Sequence, residues 1–127
     1  MTPQNTILIV DDENRLRLSL SLILQKENYR VETAANAEEV LDCLQSHEYD
    51  LMFLDLNLPG MSGEEFALHL QGEPNFARVP VFALSGRALE GKAAAIFAGT
   101  LLKPVNLDSL VSQLKRALLS NAGPDIS

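Results

Sequence analysis

Five short apolar runs, each separated from the next by a longer segment, constrain the fold of this chain more than any other feature of its sequence. The runs are TILIV at 6–10, RVETAA at 30–35, YDLMFL at 49–54, VPVFALS at 79–85 and TLLK at 100–103. Short apolar runs bounded by polar residues are typical of strands that are buried on both faces. Because parallel strands need crossover connections, the alternation predicts a doubly wound α/β fold with a five-stranded parallel sheet.

The segments between and after these runs predict helices over 13–29, 37–47, 63–72, 88–99 and 106–120. In the first, leucines alternate with polar residues as in a strand, but Leu16, Leu20 and Leu24 also follow helical spacing and the segment is too long for a typical strand. Candidate N-caps stand at or near the start of three of the helices: Asp12 and Asn14, Asn36, and Asn106 or Asp108.

Length and composition favour a single acidic domain. The 127 residues predict one domain over 1–127, with a core of about 5–120 and a flexible polar tail at 121–127. Cys43 has no partner for an internal disulfide, and no signal peptide opens the chain, so we expect a cytoplasmic location. The net charge of −7 disfavours direct nucleic-acid binding, and no apolar run is long enough to cross a membrane.

Polar side chains stand where the predicted strands end. Asp11 and Asp12 follow the first strand, Asp55 follows the third, Ser85 ends the fourth and Lys103 ends the fifth. Ligands of doubly wound sheets bind outside these carboxyl ends. Three carboxylates gathered there repel one another unless a cation is present, and oxygen-only ligation suits a hard cation such as Mg2+. A hydroxyl and an ammonium beside that cation predict a cradle for a phosphoryl group.

In their order and position, these residues resemble the receiver domain of two-component response regulators. The matching pieces are DDE at 11–13, DLNLPGMSG at 55–63, LSG at 84–86 and KP at 103–104. Each piece alone is weak, but the ordered set is specific, and the resemblance covers nearly the whole chain. It implies a CheY-like, flavodoxin-like sheet with strand order 2-1-3-4-5 and helices on both faces.

The resemblance also implies a role for each matching residue. Asp55 would be the phosphoacceptor. Mg2+ (or Mn2+) would be held by the carboxylates of Asp11, Asp12 and Asp55 and by the backbone carbonyl of Asn57. Ser85 and Lys103 would contact the phosphoryl group, the Lys103–Pro104 bond would be cis, and Asn57 and Arg87 would tune dephosphorylation. A carboxylate nucleophile is ionised at neutral pH, so it needs no adjacent base.

The implied partners are a sensor histidine kinase or a phosphotransfer protein, together with a downstream target that the sequence does not identify. Phosphorylation of Asp55 would switch the conformation for control of that target. Such a domain would not be an enzyme in the ordinary sense, since it would catalyse only its own phosphorylation and dephosphorylation.

One part of the chain departs from the family pattern. The segment between Ser85 and Lys103 is shorter than usual, and Thr100 stands three residues before the lysine, where receivers often have an aromatic residue. In the family that aromatic residue rotates inward when the serine or threonine engages the phosphate. The departure predicts that output uses another face of the domain or a weaker rearrangement.

Two other classes of function remain open on the sequence. FLDLNL resembles the Asp-x-Asp signature of haloacid-dehalogenase-like phosphohydrolases, but Asn57 replaces the second acid and the nucleophile would follow a later strand than the first. A pseudo-receiver would keep the fold as a binding module without phosphorylation. The presence of Asp12, Asp55, Ser85 and Lys103 together disfavours it.

Overall fold

The computed structural model describes residues 4–74 and 78–122, which contain five parallel strands and five helices. The strands are β1 Thr6–Val10, β2 Arg30–Ala34, β3 Leu51–Asp55, β4 Val81–Ser85 and β5 Gly99–Leu102. The helices are α1 Asn14–Lys26, α2 Ala37–Ser46, α3 Gly63–Gln71, α4 Gly91–Ala95 and α5 Leu107–Ala122. The strand order is β2-β1-β3-β4-β5, which confirms the predicted topology.

The sheet separates two apolar layers. Alternate residues of β1 point to opposite faces, as a pleated strand requires, so Ile7 and Ile9 belong to one layer and Leu8 and Val10 to the other. The first layer packs against α1 and α5, and the second against α2 and α3. Both faces are therefore covered by helices, which explains why the strands read as continuous apolar runs.

The fourth helix is shorter than the sequence predicts, because it covers Gly91–Ala95 and not 88–99. Glu90 is extended, and Gly91 has a φ of 59°, so the helix cannot begin before these residues. At its other end, the N–H of Ala98 already donates to the carbonyl of Val81, at 2.8 Å. Hydrogen bonding to β4 therefore starts at Ala98, one residue before β5 begins at Gly99, and the helix does not extend that far.

Helix ends agree with the sequence in two places and differ in two. The side chains of Asn36 and Asn106 accept hydrogen bonds from the N–H groups of Glu39 and Ser109, as N-caps do. The predicted N-caps of α1, Asp12 and Asn14, were wrong: its N-cap is Glu13, whose side chain makes no capping hydrogen bond. The prediction of a tail at 121–127 was wrong for 121 and 122, which lie in α5, and 123–127 lie outside the described residues.

Candidate functional site

Three carboxylates meet at the carboxyl edge of the sheet. Asp11 and Asp12 follow β1, Asp55 ends β3, and one carboxylate oxygen from each lies within 4.8 Å of the others. Adjacent strands β1 and β3 bring them together through main-chain pairing. Asp11 and Asp55 are buried, whereas Asp12 is exposed. The group is therefore open to solvent on the Asp12 side, and its geometry could hold a metal ion.

Among the described residues, the ammonium of Lys103 faces the two buried carboxylates. Lys103 Nζ lies 3.0 Å from Asp11 Oδ2 and 3.3 Å from Asp55 Oδ1. The lysine is placed by β5, because its N–H donates to the carbonyl of Ser85 at 2.8 Å. The charge balance of these three side chains is thus one positive against two negative charges.

This imbalance affects how the buried groups titrate. Burial raises the pKa of Asp55 above its ordinary value, and the charge of Asp11 raises it further, while the N–H of Asn57 and the Lys103 ammonium oppose the rise. Burial lowers the pKa of Lys103, but its close contacts and charge interactions with Asp11 and Asp55 outweigh burial and leave that pKa above its ordinary value. The lysine is therefore charged at neutral pH.

One oxygen of the site lacks a well-formed hydrogen bond. Asp11 Oδ1 accepts from the N–H of Glu13 at 2.8 Å, but the buried Oδ2 has no hydrogen-bond partner of acceptable geometry, although Lys103 lies close to it. Such a buried anionic oxygen is costly and is usually found with an ion or another partner. Its position beside an all-oxygen donor set fits a hard divalent cation.

The hydroxyl of Ser85 is engaged with the loop after β4. Its Oγ donates to the carbonyl of Arg87 at 2.7 Å and accepts from the N–H of the same residue at 3.1 Å. Ser85 is buried at the edge of the sheet, while the side chain of Arg87 is exposed. The structure therefore places Ser85 at the site, with its hydroxyl directed to the loop.

The loop after β3 is held close to Asp55 by glycine and by main-chain contacts. Gly60 has a φ of 83°, and a Cβ on Gly63 would lie 2.4 Å from the Cα of Leu56 and 2.9 Å from the carbonyl of Asp55. The N–H of Asn57 donates to Asp55 Oδ1 at 3.1 Å. The start of α3 can approach the site this closely only because residue 63 has no side chain.

Two further features lie next to the site: the peptide bond after Lys103 and a contact from Arg17. The Lys103–Pro104 peptide bond is cis. Arg17, which was not among the predicted site residues, donates from Nη1 to the main-chain carbonyl of Asp11 at 2.5 Å. A basic residue six positions after Asp11 in a predicted helix was the available signal, but its contact depends on the turn between β1 and α1.

Comparison with known proteins gives consistent matches to response regulators. The model of the response regulator receiver domain matches residues 7–115. Among curated proteins, the cell cycle response regulator CtrA of Brucella ovis is 31% identical over 121 residues, which are 92% of this chain and 51% of that protein. The chain thus spans about half the length of the curated relatives it matches.

Solved structures show the same fold. The chemotaxis response regulator CheY4 of Vibrio cholerae is 30% identical with a TM-score of 0.84, covering 91% of this chain and 99% of that one. The response regulator TrrA of Thermotoga maritima, solved in complex with Mg2+-BeF, is 31% identical with a TM-score of 0.80, covering 90% and 99%.

The chain belongs to the response regulator receiver domain family. Its function is that of a phosphoaccepting signalling domain in two-component systems, in a family where phosphotransfer typically depends on Mg2+. Receiver domains are signalling domains and are generally not classed as enzymes. This membership disfavours the phosphohydrolase alternative. No helix within residues 4–74 and 78–122 has both the length and the apolar character needed to cross a bilayer.

Proposed function

We propose that Asp55 is the phosphoacceptor of this receiver domain. The observation that carries the proposal is the position of its carboxylate, buried at the end of β3, within 4.8 Å of two further carboxylates and 3.3 Å from the Lys103 ammonium. A nucleophilic carboxylate needs neighbours that neutralise the phosphoryl oxygens. Lys103 is one such neighbour, and the acidic group provides the site for a cation as the other.

The cation in this proposal is Mg2+ or Mn2+, held by Asp11, Asp12, Asp55 and the main-chain carbonyl of Asn57. The all-oxygen donors and the unsatisfied Asp11 Oδ2 support it. When bound, the cation supplies positive charge to the oxygens of the transferred group. The exposed position of Asp12 leaves that side of the site open to a phosphodonor.

The proposed reaction is transfer from a phosphohistidine. An Asp55 carboxylate oxygen forms a bond to phosphorus, the phosphorus–nitrogen bond breaks, and its electron pair stays on the imidazole of the donor. The product is an acyl phosphate on Asp55. Lys103 binds a phosphoryl oxygen and keeps its proton throughout. Ser85 exchanges its hydrogen bonds with Arg87 for one to the phosphoryl group, while Asn57 and Arg87 flank the entrance and tune hydrolysis.

The proposed partners follow from this chemistry. The phosphodonor is a sensor histidine kinase or a phosphotransfer protein, and the phosphorylated domain controls a downstream target, with a cytoplasmic location for both events. Thr100 lies on β5 in place of the aromatic residue often found there, so we propose that the signal leaves through a rearrangement that starts at Ser85 and the loop it holds.

Intact-mass measurement tests the assignment. We expect the native chain to gain one phosphoryl group after incubation with acetyl phosphate and Mg2+, and to gain none when EDTA replaces the metal. Asp55→Asn should gain none in either condition. Asp108→Asn is the matched control, since Asp108 is exposed in the first turn of α5 and its substitution removes the same charge.

Two results would contradict the proposal. An adduct that persists in Asp55→Asn would place the phosphoacceptor elsewhere. A native chain that takes up no phosphoryl group from acetyl phosphate or from a phosphorylated histidine kinase would indicate a pseudo-receiver that binds its partner without phosphorylation.

A further inference from the structure

The turn that carries Asp11 and Asp12 has no ordinary helix cap. Glu13 is the N-cap of α1, and its side chain makes no capping hydrogen bond. In contrast, α2 and α3 are preceded by the N-caps Asn36 and Ser62, whose side chains accept from the N–H of the third residue of each helix. A helix start without a cap leaves main-chain N–H groups without side-chain partners and the preceding turn less constrained. A further contact that spans the turn would therefore add to the constraint on the two aspartates.

Arg17 supplies that contact. Its Nη1 donates to the carbonyl of Asp11 at 2.5 Å, and its Nη2 donates to Asn14 Oδ1. One planar guanidinium thus joins the last residue before the turn to the first residue of the helix, across the segment that contains Asp12. Because the guanidinium presents its donors in a fixed fork, it constrains the geometry of both partners.

The contact acts on an aspartate whose other groups are already engaged. The N–H of Asp11 donates to the carbonyl of Ala34 at 3.1 Å, and its Oδ1 accepts from Glu13. The Arg17 bond engages the remaining main-chain group of Asp11, whose Oδ2 lies 3.0 Å from Lys103 Nζ. Asp12 is exposed, and its position depends on the same turn.

We infer that Arg17 is a positioning residue for the cation site: its guanidinium clamps the β1–α1 turn so that the Asp11 and Asp12 carboxylates are held for metal binding. This inference rests on the proposed function, because it concerns the same cation. Groups that orient metal ligands without touching the metal commonly change affinity by 10- to 100-fold when they are removed.

Because Arg17 is positively charged, the direction of the change in Mg2+ affinity on its removal tests the inference. A positive side chain beside a cation site weakens binding by repulsion, so if charge alone mattered, its removal would tighten binding. If the guanidinium positions the carboxylates, its removal weakens binding. Arg15 provides the matched control, because it is exposed in the same helix and its substitution by alanine removes the same charge.

Isothermal titration of the full chain with Mg2+ distinguishes the two effects. We expect Arg17→Ala to raise the Kd for Mg2+ about 10-fold, Arg17→Lys to raise it by a smaller factor although the charge is kept, and Arg15→Ala to leave it unchanged or slightly lower. Circular dichroism checks that each variant is folded. If Arg17→Ala does not fold, Arg17→Lys decides, because any loss of affinity in that variant comes from geometry.

The inference would be overturned if folded Arg17→Ala had an unchanged or lower Kd for Mg2+. If the alanine variant does not fold, a native Kd in Arg17→Lys would overturn it. Neither result would affect the assignment of Asp55, which depends on the phosphoryl adduct. Conversely, if the native chain bound no Mg2+, the proposed function and the inference would both fail, and the native titration, performed first, identifies that case.

Discussion

Two polar clusters lie within or against the sheet, and they differ in how well their groups are matched. The rim cluster consists of Asp11, Asp55 and Lys103, in which one ammonium faces two carboxylates and Asp11 Oδ2 has no hydrogen bond. The tyrosine pair consists of Tyr49 and Glu32, in which the buried hydroxyl donates to Glu32 Oε1 at 2.5 Å.

The tyrosine pair is complete without any added group. Burial raises the pKa of Tyr49, and its hydrogen bond to Glu32 raises that pKa further, so the hydroxyl stays protonated and remains a donor. His47 Nδ1 lies 3.5 Å from the same glutamate oxygen. The rim cluster is incomplete, since its acceptors and negative charges exceed its donors and positive charges. We conclude that the tyrosine pair serves the fold, whereas the rim cluster is kept at a cost that a ligand can offset.

The largest expected effect comes from removing the only ammonium of the rim cluster. In Lys103→Met, two buried carboxylates lose their counter-charge, and we expect the metal-free protein to lose about 2 kcal/mol in its free energy of unfolding at neutral pH, less than for a fully buried pair because Lys103 is partly exposed. Urea unfolding followed by circular dichroism measures this loss.

Lys92→Met is the control for that loss, because Lys92 is exposed on α4 and carries the same charge. We expect Mg2+ to restore much of the stability of Lys103→Met, since the cation neutralises the same carboxylates. Equal stability of the two lysine variants without metal would show that the rim cluster is not electrostatically unbalanced.

A smaller loss is expected from the tyrosine pair. Tyr49→Phe removes one buried donor and leaves Glu32 with fewer partners, so we expect a loss of about 1 kcal/mol that does not change with Mg2+. Tyr29→Phe serves as the matched change on the opposite layer of the protein. A Tyr49→Phe effect that disappears on addition of Mg2+ would link the two clusters and contradict their separation.

The smallest effect is a gain in stability. The pKa of Asp55 is raised in the folded state, so its protonated form favours folding, and this contribution is lost as the pH rises through the folded-state pKa. Without metal, Asp55→Asn should therefore be more stable than the native chain at neutral pH. The difference should shrink as the pH falls toward 3.8, the ordinary pKa of the group.

Thermal unfolding at several pH values, with Asp108→Asn as the charge control, measures this difference. Saturating Mg2+ should reduce or reverse it, because the cation binds the native carboxylate and stabilises the folded state. A native chain that is at least as stable as Asp55→Asn at neutral pH without metal would show that Lys103 already compensates the burial of Asp55.

Much of the fold was predictable because its signals are local. The apolar run TILIV became β1 over the predicted residues, and Asn36 and Asn106 cap the helices they precede. The shortness of α4 was not predictable from its alanine-rich sequence, since the helix yields to a hydrogen bond with Val81, a residue distant in sequence. Likewise, Asn14 does not cap α1: it is the first residue of the helix, and its side-chain oxygen accepts from Arg17.

In the candidate site, too, some features were predictable from the sequence and others were not. Strand ends mark Asp11, Asp12, Asp55, Ser85 and Lys103 in the sequence, because a parallel sheet must bring its carboxyl ends to one edge. The distances from Lys103 to Asp11 and Asp55, the lack of a hydrogen bond at Asp11 Oδ2 and the engagement of Ser85 with Arg87 depend on side-chain packing across several strands. No spacing within the chain specifies such contacts.

The sequence by itself therefore determined the class of fold, the order of its strands through the family resemblance, and the residue types at the carboxyl edge. The tertiary structure decided which of those residues form ion pairs, which oxygen lacks a hydrogen bond, and which outside residue, Arg17, contacts the turn that carries Asp11 and Asp12. The physical reason is that periodicity and capping act over a few neighbouring residues, whereas the electrostatics of a buried site are set by atoms that only the folded sheet brings together.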